Sequence, residues 1–409
     1  MEINGGDTAW VLMSTALVML MTPALGFFYG GLVRQKNVLA TLMHSFGILA
    51  LISVVWVLWG YSLAFGPDAG GGLIGNLDWV GLNGVGQLPS ELYGTTIPHL
   101  LFMMFQGMFA IITVALITGA FAERFRLKAL VVFAIAWSTL VYSPIAHWVW
   151  STDGWLFDLG ALDFAGGTVV HISSGVAALV AALVVGKRVG FKTEKMDPHN
   201  LTYTVLGAGL LWFGWFGFNA GSALAANGLA ANALVVTNTA AAMGAMTWLT
   251  ATWIRDGRPS VLGAAAGAVA GLVAITPAAG YVDASAAIVI GFGAGILCYA
   301  AVGFLKERLG VDDALDVFAV HGVGGIWGAL ATGLFADSAV NPAGEGLFFG
   351  NAEQFWNQIV AVVVVVAFSG IVTFAILKAI EYTIGLRVPE AEEVAGLDPT
   401  THGEFGYQL

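Results

Sequence analysis

Long apolar segments alternate with short polar ones along nearly the whole chain. A membrane-spanning helix needs about 20 mostly apolar residues, and eleven stretches approach or exceed that length. Pro23 predicts a break or kink in the first. The weakest is short and rich in Ala and Gly, but it spans a bilayer if it is little tilted. The eleven predicted spans are 9–32, 39–65, 97–121, 127–149, 164–186, 201–222, 232–254, 260–276, 281–304, 317–336 and 356–380.

The basic residues fix the direction of these spans. With eleven spans, all 15 Lys and Arg collect on one side of the membrane, and basic loops stay in the cytoplasm. With one span more or fewer, basic residues would fall on both sides of the membrane. We therefore predict an all-α polytopic membrane protein of the cytoplasmic (inner) membrane, with its N-terminus outside and its C-terminus inside. The basic residues are Arg34, Lys36, Arg124, Arg126, Lys128, Lys187, Arg188, Lys192, Lys195, Arg255, Arg258, Lys306, Arg308, Lys378 and Arg387.

The predicted outer side carries carboxylates and no cations, an arrangement that concentrates small cations. The alternative is that these acids are ordinary solvated groups left behind when the positive-inside bias removed the bases. The outer acids are Glu2, Asp7, Asp68, Asp78, Glu91, Asp153, Asp158, Asp163, Asp283, Asp337, Glu345 and Glu353.

Composition agrees with a membrane protein and excludes other classes. The chain is 58% hydrophobic and only 10% charged, too few charges for the surface of a soluble enzyme of 409 residues or for a disordered chain. A net charge of -11 disfavours nucleic-acid binding. The 55 glycines suit close helix packing in lipid. Because no basic region precedes span 9–32 and this span is too long for a signal-peptide core, we expect a mature helix.

Two short windows of the sequence resemble each other. One runs from Asp163 to His171, the other begins Asp316-Val-Phe-Ala-Val-His321, and they open spans five and ten. Because five spans is an odd displacement, the second copy would be inverted relative to the first. Inverted repeats, here of helices 1–5 and 6–10, are typical of transporters and channels with a site near the midplane. Chance similarity is the alternative.

The two histidines are the main candidates for chemistry. Ionisable groups within a membrane are costly, and function is the default interpretation. A pseudo-twofold axis would bring His171 and His321 together, joined nitrogen to nitrogen while both stay neutral, with their outer nitrogens free for a polar solute. The alternative is two unrelated packing histidines, the interpretation we favour for His44 and His147.

Two further features suit a small cation. Asp163 at the mouth of span five can accept hydrogen bonds from the first amides of the helix, with direct cation binding as the alternative. The segment from Gly214 to Ser222 mixes Trp215, Phe216 and Phe218 with glycines and ends in a hydroxyl. A ring face stabilises a cation by roughly 0.5–2 kcal/mol, which favours a cation carrying N–H donors over a bare metal ion. A plain interfacial aromatic belt is the alternative.

These residues together resemble a known family. The segment from Gly160 to His171 is similar to the signature of Amt-type ammonium transporters, in the superfamily of ammonium transporters, methylammonium permeases and Rhesus proteins. Three more segments match: Gly214 to Ser222, Asp312 to Gly325, and the tail from Gly385 to Glu404. The tail favours the bacterial-type Amt branch over Rhesus proteins.

The resemblance implies ammonium or ammonia transport by a homotrimer with one pore in each subunit, without a cofactor and without enzyme activity. Ammonium would be recruited outside and lose a proton, and ammonia would pass through a hydrophobic pore; methylammonium is a further candidate substrate. The implied roles are an outer cation site of Phe109, Trp150 and Ser222, a gate of Phe109 and Phe218, paired pore histidines His171 and His321, pore-lining or neighbouring Trp215 and Tyr142, and structural support of the outer site by Asp163.

The resemblance also implies a cytoplasmic partner, a trimeric PII-type signalling protein. We predict a transmembrane domain over 1–385 and a cytoplasmic regulatory tail over 386–409. The tail is acidic and is either a solvated, disordered end or an ordered cap. Two competing classes stay open: a membrane haem protein that uses the histidines as axial ligands, and an ammonium sensor that binds but conducts little.

Overall fold

The computed structural model describes residues 2–407, and in this range the chain is helical with only isolated β-bridges. Ten helices are long and apolar enough to cross a membrane. We call the side on which the first helix begins the outer side. The helices are Gly5–Leu32 (α1), Gln35–Phe65 (α2), His99–Ile117 (α3), 127–150 (α4), Gly167–Val185 (α5), Leu201–Ala220 (α6), Gly228–Asp256 (α7), Val261–Ile275 (α8), Ala284–Leu309 (α9), Phe318–Phe335 (α10) and Ala352–Thr383 (α11).

Helix α8 is the exception in length. Its 15 residues rise about 22 Å, less than the roughly 30 Å of a hydrocarbon core. Glycines bring it against α7, since a Cβ added at Gly267 would lie 2.5 Å from the Gly244 carbonyl oxygen. The predicted apolar window 260–276 is therefore a closely packed helix, and the count of eleven spans stays a prediction.

The predicted break at Pro23 is wrong, because α1 is one helix of 28 residues that contains this proline. A kink there stays a prediction. Proline removes one backbone hydrogen bond. Membrane helices tolerate that loss when neighbouring helices hold both halves in place, and α1 packs along α2, α3 and α6.

Three of the π-helical turns in the described part of the chain carry residues of the predicted pore. They span Gly167–Ile172 at the start of α5, Phe216–Ala220 at the end of α6 and Phe318–Val323 at the start of α10. Turns of this type are rare and occur frequently at functional sites. Here they carry His171, Phe218 and His321.

The starts of α5 and α10 share a local backbone, but in a different register from the predicted one. Asp313, not Asp316, corresponds to Asp163: each lies eight residues before its histidine, and each accepts a 2.7 Å hydrogen bond from the amide five residues later. Three residues after each aspartate the backbone is left-handed, at Gly166 with φ 117° and at Asp316 with φ 60°. Asp316 instead pairs with Lys306 at 2.7 Å.

A buried charge cluster joins the inner ends of α3, α5 and α10. The Arg188 guanidinium donates two hydrogen bonds to the Asp312 carboxylate, of 2.7 and 3.0 Å, and also pairs with Glu123 at 3.2 Å. Arg34 pairs with the same Glu123 at 2.8 Å. Burial raises the pKa of Glu123, but the two guanidiniums outweigh this and hold the pKa below its usual value. The inner ends of these helices are therefore fixed by ionised groups.

The tail is ordered where the structure describes it; its last two residues, 408–409, lie outside the described range. It forms the helical turns Glu390–Ala395 and Asp398–His402. The Asp398 carboxylate accepts bonds from the Leu39 and Ala40 amides at 3.0 and 2.8 Å at the start of α2. Glu393 accepts a 2.7 Å bond from the Val189 amide. The described part of the tail is therefore ordered and docked on the rest of the chain, and its regulatory role stays a prediction.

Candidate functional site

The Asp163 carboxylate closes the outer start of α5. Its two oxygens accept bonds from the amides of Gly166, Gly167 and Thr168 at 2.7, 2.6 and 2.7 Å and from the Thr168 hydroxyl. Because no earlier turn exists at a helix start to accept these amides, a side-chain acceptor is required there. The local spacing had predicted this role, and the contacts confirm it.

Trp150 and Phe109 lie next to this helix start. The Trp150 indole N–H donates to the Asp163 carbonyl at 2.9 Å. Its ring meets the Phe109 ring edge to face, with centroids 5.8 Å apart and planes at 89°. The Asp163 side chain therefore caps the start of α5, and its backbone carbonyl accepts a hydrogen bond from the Trp150 indole.

Ser222 lies just beyond the end of α6. Its hydroxyl donates to the Phe218 carbonyl at 2.9 Å, which leaves the oxygen's lone pairs available to accept from a cation. It is partly exposed, so a solute from the outer side can reach it.

Below this level two phenyl rings lie in contact. The centroids of Phe109 and Phe218 are 4.3 Å apart with planes at 38°, and both side chains are fully buried. A hydrated ion does not fit between rings in contact, so passage requires ring motion and loss of water.

The two histidines meet directly beneath the phenyl rings. The Nδ1 atoms of His171 and His321 are 3.2 Å apart, at hydrogen-bonding distance. The His171 ring also stacks on Trp215 and Phe218, with centroids 5.5 and 6.0 Å away. In a neutral pair one Nδ1 donates and the other accepts, so one ring keeps a free Nε2 lone pair and the other a free Nε2–H.

The 3.2 Å distance between the two Nδ1 atoms fits an N–H···N hydrogen bond. A tetrahedral metal would need further ligands beside two imidazoles. Among residues 2–407 no group of three or more His, Cys, Asp or Glu side chains could hold a metal ion.

His321 connects two cavities. A narrow one is lined by Trp215, Phe218 and both histidines. A wider one of about 220 Å³ lies towards the inner side, lined by His321, Tyr29, Trp248 and Asp316 among others. The two phenyl rings, the imidazoles and the inner cavity therefore follow one another through the bundle.

The Tyr142 ring is buried 6.1 Å from Trp56. It is not among the residues that line the narrow histidine cavity, and its place beside the pore stays a prediction. His147 is buried with its two nitrogens 3.0 Å from the Ala64 carbonyl and 3.2 Å from Asp68, as expected for a packing histidine. His44 is also buried.

Sequence reasoning missed two supporting residues. Thr276 accepts the Trp215 indole N–H at 2.9 Å, and no local pattern connects these two positions. Asp313 was overlooked in favour of Asp316, although a strict eight-residue spacing from histidine would have found it.

Apolar helices around a narrow path of rings and imidazoles define a multi-pass membrane protein of the transporter or channel class. The chain belongs to the Ammonium Transporter Family, whose family model matches residues 9–407, which confirms the resemblance seen in the sequence.

Known relatives cover nearly all of the chain. It is 55% identical over 404 residues to the ammonium transporter of Bacillus subtilis, covering 98% of each chain. The crystal structure of Saccharomyces cerevisiae Mep2 superposes with a TM-score of 0.89 at 39% identity, covering 95% of this chain and 89% of that one. A structure described as a Sensor Amt Protein superposes with a TM-score of 0.89 at 30% identity, over 97% and 98%.

Proposed function

We propose that the protein transports ammonium or ammonia across the cytoplasmic membrane, recruiting ammonium outside and passing ammonia along the paired histidines. Family membership supports the substrate. The observation that carries the mechanism is the 3.2 Å Nδ1–Nδ1 contact of His171 and His321 directly below the Phe109–Phe218 rings.

The physical reason for deprotonation is the cost of an ion in a dry path. An isolated charge in an apolar interior costs many kcal/mol. Ring faces at Phe109 and Trp150 and the Ser222 hydroxyl replace part of the hydration of ammonium. Transfer of one N–H proton from ammonium to water on the outer side, before the phenyl rings, removes most of the remaining cost. Ammonia then passes the phenyl rings and exchanges hydrogen bonds with the free Nε2 atoms of the two histidines.

The defining experiment is a current measurement on purified protein in liposomes on a solid-supported membrane, comparing ammonium with potassium. A transporter gives an ammonium-dependent current or, for net ammonia flux, a pH change inside the liposomes. A sensor binds ammonium with neither signal, and that result would overturn the proposal.

Weakening of the outer site is our first prediction. We expect Ser222→Ala and Trp150→Leu to raise the ammonium concentration at half-maximal current, while maximal current changes less. Loss of one ring face is worth roughly 0.5–2 kcal/mol, which corresponds to about a two- to thirtyfold weakening for Trp150→Leu. Titration of the liposome current against ammonium measures it.

The matched control is Trp155→Leu, at a tryptophan that packs on Trp148 at 5.9 Å and outside the proposed site. The apparent affinity of the Trp155→Leu variant for ammonium is expected to stay at the wild-type value. Unchanged affinity in both Ser222→Ala and Trp150→Leu would show that the outer site lies elsewhere.

For topology and assembly we propose an outer N-terminus, a cytoplasmic C-terminus, a homotrimer in the lipid bilayer, a transmembrane domain over 1–385 and a regulatory tail over 386–409. The one-sided distribution of all 15 basic residues supports the orientation. The docked tail supports a regulatory role, and we propose that the cytoplasmic face binds a PII-type signalling protein.

Release of the tail is our second prediction. Asp398→Ala removes the acceptor for the Leu39 and Ala40 amides, which weakens docking by about 1–2 kcal/mol, the usual value for a lost helix cap. We expect faster proteolysis of the tail and at least a twofold fall in maximal ammonium current. Glu404→Ala, at an exposed acid of the same tail, is the control. Faster proteolysis with unchanged current would show that the tail is ordered but does not regulate.

A further inference from the structure

The carboxylate of Asp7, in the first turn of α1, joins three outer segments of the chain. One oxygen accepts a 2.7 Å bond from the Thr96 hydroxyl, just before α3. The other accepts a 2.8 Å bond from the Ala226 amide, in the turn between α6 and α7. The residue is only 9% exposed. With both oxygens bonded and little surface, Asp7 differs from a solvated outer acid.

A second contact from α1 reaches the same turn. The Trp10 indole N–H donates to the Ala220 carbonyl at 3.1 Å, so Ala220 and Ala226 are held on either side of Ser222. Between them Leu224 has a left-handed backbone with φ 54°, which is unfavourable for leucine. A turn with such a residue keeps its shape only when the surrounding structure holds it, and these two bonds do so.

We propose that Asp7 is a positioning residue for the outer cation site. It fixes the turn that carries Ser222, and thereby keeps the hydroxyl on the Phe218 carbonyl. It acts through hydrogen bonds and without contact to the cation. This inference rests on the proposed function, because it assigns Asp7 to the site formed by Phe109, Trp150 and Ser222.

The test compares Asp7→Ala, Asp7→Asn, Ser222→Ala and the double variant Asp7→Ala/Ser222→Ala in liposome current titrations with ammonium. We expect Asp7→Ala to raise the half-maximal concentration about three- to tenfold, with maximal current within twofold of wild type. Asp7→Asn should recover most of this loss, since its carbonyl oxygen still accepts from Ala226 and its amide donates to the Thr96 hydroxyl. The double variant should be no weaker than Ser222→Ala.

Two outcomes overturn the inference. Equal weakening by Asp7→Asn and Asp7→Ala would mean that the charge attracts the cation directly. Additive weakening in the double variant would mean that Asp7 does not act through Ser222. Asp337→Ala removes another carboxylate of the outer side, one that accepts a 2.8 Å bond from the Ala339 amide, and it should leave the affinity unchanged.

The failure of this inference is distinguishable from failure of the proposed function. A normal affinity in Ser222→Ala overturns the outer site itself, whereas a weakened Ser222→Ala with a normal Asp7→Ala overturns only the role of Asp7. If Asp7→Ala does not yield folded protein, Thr96→Val tests the same contact by removing one hydroxyl. It should weaken the affinity about two- to threefold, and an unchanged affinity counts against the inference.

Discussion

Asp163→Ala is expected to reduce ammonium transport to background and to lower the free energy of unfolding by about 3 kcal/mol or more. The substitution removes the carboxylate that accepts hydrogen bonds from four backbone amides and one hydroxyl at the start of α5. Each buried donor left without a partner costs about 1–3 kcal/mol. Because Trp150 also bonds to this residue's backbone at 2.9 Å, relaxation of the helix start displaces the outer site as well.

Asp313→Ala is the matched control, because Asp313 occupies the corresponding place at α10. It accepts one amide bond, from Phe318 at 2.7 Å, so its loss should cost less than that of Asp163. Liposome currents and thermal unfolding of the purified protein measure both effects. Equal destabilisation by the two substitutions, or retained transport in Asp163→Ala, would contradict the role of Asp163 as the anchor of the outer site.

Local contacts of the site can be predicted from the sequence, whereas contacts between distant residues are harder to predict. The contacts of the Asp163 carboxylate lie within six residues of it, so a spacing rule for helix starts predicts them. The contact of His171 with His321 spans 150 positions and was reached only through the proposed internal repeat. The repeat was placed in the wrong register at Asp316, because that aspartate is the nearest one before the histidine and the ion pair with Lys306 was not visible.

Other features depend on tertiary structure alone. Apolar segments of sufficient length predict the helices. Hydrophobic periodicity does not predict the π-helical turns at Gly167–Ile172 and Phe318–Val323. The tail docks because Asp398 meets amides 358 and 359 positions away. Its acidic composition was equally compatible with a solvated end. Composition therefore indicates whether a segment lies in lipid or in water, but the folded structure is needed to show which residues it contacts.

Removal of either paired histidine is expected to reduce the selectivity for ammonium over potassium. We expect His171→Ala and His321→Ala each to lower the discrimination of ammonium against potassium at least tenfold, equivalent to about 1.4 kcal/mol. Either substitution breaks the Nδ1–Nδ1 bond and replaces an imidazole with space that water can fill. A wetted path no longer requires the substrate to shed its charge, so a cation that cannot lose a proton also passes.

Three further variants separate chemistry from volume. Val170→Ala enlarges the same cavity without removing a nitrogen, and it should keep the wild-type discrimination. The double variant His171→Ala/His321→Ala should lose little more than either single one, since both disrupt one shared interaction. His171→Gln keeps a polar side chain that hydrogen bonds, and it should fall between wild type and alanine. Ammonium and potassium currents on the same liposomes provide the ratio. If Val170→Ala matches His171→Ala, the rings act only by filling space, and the neutral path for ammonia along two imidazoles has to be abandoned.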